Sequence, residues 1–181
     1  MVPSRYALHA NNGGLSMILG MSVGAFTILH LIITLVAIGS GLIVVGGMFA
    51  SNKLPVTTAL FLFTTALTSL TGFLFPIQGF TPALGVGIVA CVILVVALFA
   101  LYKEHLVGAW RWIYVITAVV SLYLNVFVLV VQSFGKVSAL NALAPMQTEP
   151  PFAVTQAAVL AIFILIALIA VIKFRPHQAK M

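Results

Sequence analysis

GAFTILHLIITLVAIGSGLIVVGGMF, residues 24–49, runs for twenty-six positions without a charge. At 1.5 Å per residue such a helix is about 39 Å long, enough for the roughly 30 Å of hydrocarbon in a bilayer. The uncharged stretch extends outward on both sides, from Arg5 to Lys53. Further gaps separate Lys53 from Lys103, Arg111 from Lys136, and Glu149 from Lys173. Only ten residues of the 181 are charged, 63% are hydrophobic, and the mean hydropathy is +1.27. A chain with so little polar surface is solvated by lipid rather than water.

The apolar runs are continuous, where a membrane barrel would alternate polar and apolar residues in short segments. Helices also satisfy every backbone group within one segment, as hydrocarbon demands. The reading is therefore an all-α, polytopic transmembrane bundle of five spans, at about residues 24–49, 56–75, 83–102, 110–132 and 152–172. Residues 1–14 read as a loose tail, 15–173 as one transmembrane domain, and 174–181 as a basic cytoplasmic tail. The segment Leu15–Ser22 is open between an extension of the first span and a short interfacial piece. Pro76, Gly79 and Pro82 mark a tight turn, and Ser133–Pro151 a loop. Trp110, Arg111 and Trp112 form an aromatic and basic anchor of the kind found at the membrane boundary.

Five crossings put six basic residues on one side (Lys53, Lys103, Arg111, Lys173, Arg175, Lys180) and two, Arg5 and Lys136, on the other. The positive-inside rule then expects the N-terminus outside and the C-terminus in the cytoplasm. Four or six crossings would mix the two sets. The net charge of +6 is spread over helix ends rather than gathered in a patch, which argues against nucleic acid as a partner. Small size and short loops point to a bacterial inner membrane.

Three spans carry polar stripes at helical spacing. Thr27, His30, Thr34, Ala37 and Gly41 share one face of the first, and Thr57, Thr64, Thr68 and Thr71 one face of the second, with Thr65, Ser69 and Gly72 beside it. Tyr114, Thr117, Ser121, Asn125 and Gln132 follow a row on the fourth. These faces should pack spans one, two and four together. Thr34, Gly41, Thr64, Thr68 and Ser121 are the expected packing residues, since small side chains permit close approach and hydroxyls bond one turn back. Asn125, past mid-span toward the outer side, needs a partner across the helices or a ligand. His30 faces water and headgroups, a ligand, or a packing partner. Under the expected topology Gln78, Gln132, Gln156 and Tyr123 join them in or near the outer half, and Phe80, Asn141, Gln147 and the Pro150-Pro151 corner would lie over any pocket there.

No two histidines share a depth on facing spans, so a haem is not expected: His30 is near the outer side, His105 in an inner loop, and His9 and His177 in the tails. Glu104 and Glu149 fall on opposite sides, and no metal site or catalytic residue emerges. Spans without Asp, Glu, Lys or Arg argue against an ion-coupled path. Three roles remain. The favoured one is a non-catalytic subunit or assembly partner of a larger membrane complex, in contact with lipids and with other subunits or its own copies. Another is a binding protein for a neutral amphipathic ligand, a quinone or lipid, in a pocket open to the outer half. The third is a small-solute transporter.

The stretch Gly39-Ser40-Gly41-Leu42-Ile43-Val44-Val45-Gly46-Gly47, followed by a turn with Lys53 and a second apolar helix, resembles the first two spans of DoxX-like bacterial membrane proteins. The resemblance implies a small inner-membrane protein, sometimes a subunit of a quinone-linked oxidoreductase. Those proteins look like four-span bundles, where this chain reads as five. No site residue carries over.

Overall fold

The computed structural model describes residues 17–75 and 82–176. It is a helical bundle. A two-residue pair, β1 (Met17–Ile18) against β2 (Met21–Ser22), turns through Leu19 and Gly20 and leads into α1, Val23–Phe49. Leu15 and Ser16 of the open segment lie outside the described residues. From Met17 to Ser22 the chain is not helical: Ser22 has an extended backbone and its hydroxyl accepts the Ala25 N–H at 3.3 Å, so α1 starts at Val23.

Then come α2 (Pro55–Gly72), α3 (Pro82–Leu98, continued as a π-turn over Phe99–Lys103), α4 (Trp110–Lys136), α5 (Ser138–Leu143) and α6 (Pro150–Lys173). Five of these helices are long and apolar enough to cross a membrane. Proline opens α2 and α6 because a first-turn N–H has no helical partner to lose. A Schellman motif closes α1: Ser51 is left-handed at φ 56°, its N–H reaches the Met48 carbonyl, and the Asn52 N–H reaches Gly47 at 2.8 Å.

The helix α4 is the hub, packed on α1, α3, α5 and α6, while α1 and α2 form the closest pair. Gly41 sits where three helices converge. A Cβ there would lie 2.7 Å from Leu122 of α4 and 2.9 Å from Phe61 of α2. The expected meeting of spans one, two and four is thus realised through a missing side chain. The core gathers Val44, Met48, Phe61, Tyr114, Val115, Val119 and Leu122. By contrast, α6 buries only Phe163 and Ala170 and turns Leu160, Ile164, Leu168 and Ile172 outward. Lipid is as apolar as these side chains, so their exposure costs nothing in a bilayer.

The two ends of the bundle differ. Among the described residues the Arg111 end carries Lys53, Lys103, Glu104, Arg111, Lys173 and Arg175, and the Lys136 end carries Lys136 and Glu149. At the first, the Arg111 guanidinium donates to the Val171 carbonyl at 2.9 Å and the Phe174 carbonyl at 2.6 Å, capping the C-terminus of α6 with a cation. At the second, the Glu149 carboxylate accepts the N–H groups of Met146 and Thr148 at 3.1 and 3.0 Å. Desolvation raises its pKa, but these and other backbone N–H bonds outweigh that and hold it below the ordinary carboxylate value. A carboxylate lowered in this way stabilises its loop above the unfolded pKa, and that contribution is lost as pH falls through the folded one. The protection factors of the Met146 and Thr148 amides, their exchange rates set against the intrinsic rate at each pH, should therefore fall on acidification. Glu149→Gln should remove that pH dependence; an unchanged profile would disprove the assignment.

Candidate functional site

The polar side chains of the spans are distributed along the bundle, several of them tied to a neighbour. Toward the Lys136 end, His30 of α1 and Thr71 of α2 meet with Nδ1 2.7 Å from Oγ1. The His30 ring stands edge-on to Phe75, with centroids 5.4 Å apart and planes at 88°, and Phe75 packs on Phe26 at 5.1 Å. One turn deeper, Thr34 donates to the His30 carbonyl at 2.8 Å and lies 3.5 Å from the Thr68 hydroxyl.

Asn125 is about 22 Å along α4 from Trp110, beyond the middle of the helix. It is buried, and its amide Nδ2 donates to the Thr65 hydroxyl of α2 at 3.1 Å. Between the openings left by sequence, a bond across helices or a ligand, the structure supplies the bond across helices. Thr64 is buried and bonds back to Leu60 at 2.7 Å, as Thr71 does to Leu67, Ser40 to Val36 and Thr117 to Ile113. Ser121 is buried, with no partner for its hydroxyl among the described residues.

The glutamines do not converge. Gln156 of α6 donates to the Phe127 carbonyl at 3.2 Å, leaving its buried Oε1 without a partner among the described residues. Gln132 is exposed, facing away from the interior. Gln78 and Phe80 lie outside the described residues. Gln147 donates to Val131 at 3.0 Å and Asn141 to Phe134 at 3.1 Å, so both fasten the α5 segment to the end of α4. Tyr123 packs on Phe163 and Phe127 at 5.7 and 6.0 Å. Together with Val119, Val120, Leu160, Phe163, Ile164 and Ala167 it lines a shallow groove of about 90 Å³ between α4 and α6, apolar throughout.

Tyr114 opens the polar row that sequence places on the fourth span, but spacing gave it no neighbour. Its side chain is fully buried, and on α2 the Thr58 hydroxyl donates to the Lys53 carbonyl at 2.8 Å.

The arrangement holds helices together by single hydrogen bonds at different depths. Such bonds between membrane helices average about 0.6 kcal/mol and reach about 1.7. Asn125→Leu should cost about 1 kcal/mol in a reversible unfolding titration, since Thr65 loses its donor. A gain in stability would mean that the amide is a packing liability and the bond contributes nothing. Comparison with known protein families, with curated proteins and with solved structures finds no match.

Proposed function

We propose that this chain is a non-catalytic integral membrane protein that serves as a subunit or assembly partner of a larger complex in a bacterial inner membrane, N-terminus out and C-terminus in. One observation carries the reading. Polar side chains of the spans are tied to neighbouring helices: Asn125 to Thr65, His30 Nδ1 to Thr71, Gln156 Nε2 to the Phe127 carbonyl, while the Ser121 hydroxyl and Gln156 Oε1 have no partner among the described residues. Side chains held this way set the register of helices and are not arrayed around a reacting group. What the chain offers its surroundings is apolar helix surface, broadest on α6, and two short polar ends. The charge asymmetry between the ends supports the orientation, and the DoxX-like glycine run fits the compartment.

Native mass spectrometry of the protein released in mild detergent tests this directly. The expected spectrum contains assemblies with other membrane chains or with further copies. A solitary chain under every mild condition would contradict the proposal.

A further inference from the structure

We propose that the Nε2 edge of His30 is a binding site for the hydroxyl group of an amphipathic molecule, with the imidazole acting as acceptor. The inference goes beyond a packing subunit and stands on different atoms.

A threonine hydroxyl has one proton. That of Thr71 lies 2.6 Å from the Leu67 carbonyl and 3.2 Å from the Thr68 carbonyl, so the proton is committed to its own helix. Its oxygen therefore meets His30 Nδ1 at 2.7 Å as an acceptor. Two lone pairs at that distance would repel, which places the imidazole proton on Nδ1. A neutral ring protonated on Nδ1 presents a bare lone pair at Nε2.

That lone pair has no partner among the described residues. The ring cannot easily swing to find one. Nδ1 is held by Thr71, and the ring stands against the edge of Phe75, which packs on Phe26. His30 is half-buried and lies about 10 Å along the axis from the first residue of α1, and its sequence neighbours Leu29 and Leu31 are exposed and aliphatic. An acceptor fixed in direction, at this depth and flanked by apolar surface, is complemented by an O–H donor carried on an apolar tail. A ligand offering only carbonyl or ether oxygens finds no donor there. Two sources share that chemistry: a lipid with a free hydroxyl, and a quinol.

The test uses the full-length protein in lipid nanodiscs with four probes: decylubiquinol, dioleoylglycerol, and the O-methyl ether of each. At least one hydroxyl probe should bind about tenfold more tightly than its ether, the worth of one buried hydrogen bond. The preferred source, quinol or diacylglycerol, identifies the ligand class. His30→Phe keeps the aromatic packing against Phe75 and should erase the discrimination, whereas Gln132→Ala should preserve it. Thr71→Val releases the tautomer and should weaken the discrimination. Equal binding of alcohol and ether, or discrimination that survives His30→Phe, overturns the proposal. The ¹⁵N spectrum of ring-labelled histidine in the parent protein gives a second readout, independent of how any variant folds. His30 should show a proton-bearing Nδ1 and a bare Nε2 whose signal moves on adding the bound probe, and a proton on Nε2 would overturn the assignment. None of these outcomes depends on whether the chain is found in a complex.

Discussion

Gly41→Leu is expected to destabilise the bundle by about 2–3 kcal/mol, the range for forcing new atoms into a packed interior. A Cβ at Gly41 would come within 2.7 Å of Leu122 and 2.9 Å of Phe61, closer than carbon atoms approach. Both neighbours are buried, so neither has room to retreat, and the strain passes into the contact between α1 and the pair α2–α4. Asn125 lies one turn beyond Leu122, so its bond to Thr65 should loosen as well. Gly39→Leu provides the control: nothing lies within 4 Å of a Cβ there, and losing a mid-helix glycine gains up to about 1 kcal/mol of helix propensity. Denaturation titrations in mixed micelles would measure both. Equal effects at the two sites would contradict the three-helix junction.

The second large effect belongs to Arg111. Arg111→Ala should cost about 2 kcal/mol, since hydrogen bonds to a charged group are worth about 1.5–3 kcal/mol and part exposure of this one reduces its share. The loss is local. Phe174 is buried, sits with its ring 6.1 Å from Tyr114, and owes its position to the carbonyl that Arg111 holds. Next to it the Arg175 N–H donates to the Ser51 hydroxyl at 2.8 Å, joining the chain after α6 to the turn between α1 and α2. Without the guanidinium, this segment should lift. Hydrogen exchange at the Phe174 and Arg175 amides should accelerate, and limited proteolysis after Lys173 should begin. Both bonds come from Nη1, so Arg111→Lys should recover only part of the protection because the shorter lysine must bring one ammonium to the place that Nη1 holds. Lys173→Ala, which disturbs no such bond, should leave the segment in place. Protection unchanged in Arg111→Ala would remove the clamp from the account.

The five spans were legible because charge is excluded so thoroughly from them. The observed helices Val23–Phe49, Pro55–Gly72 and Trp110–Lys136 begin within a residue of the boundaries read from sequence. The first also ends at Phe49 as read, but α2 stops at Gly72, short of the Phe75 read from sequence. The fourth helix runs four residues past Gln132 to Lys136, since a lysine at a helix C-terminus is favourable and can reach water from there. The loop read over Ser133–Pro151 contains α5, too short and too polar in its surroundings to signal itself by periodicity. Tyr102, read as ending the third span, lies inside the π-turn that continues it, an irregularity with no residue signature. The Arg111 clamp was invisible for a different reason. A basic residue at a boundary reads as a topology signal, and nothing in spacing brings Arg111 to carbonyls sixty residues away.

Among the polar candidates, spacing found the faces but not the partners. Thr34, Gly41, Thr64 and Ser121 are buried and Thr68 is half-buried. The idea of His30, Asn125, Tyr123, Gln78, Gln132 and Gln156 around one outer cavity rested on shared depth, and depth does not fix rotation about a helix axis; Gln78 lies outside the described residues. The structure puts Asn125 between α4 and α2, Gln156 and Tyr123 between α4 and α6, and Gln132 on the exterior.

The central claim of the proposed function is its orientation, with the Arg111 end in the cytosol and the Lys136 end outside. Single cysteines at Asn52, Val107 and Ser138, in a Cys91→Ala background, would be treated with a membrane-impermeant maleimide before and after cell lysis. All three positions are exposed loop or loop-proximal sites. The account predicts labelling of the Ser138 variant in intact cells and of the Asn52 and Val107 variants only after lysis. Labelling of all three alike, or the reverse pattern, would contradict it.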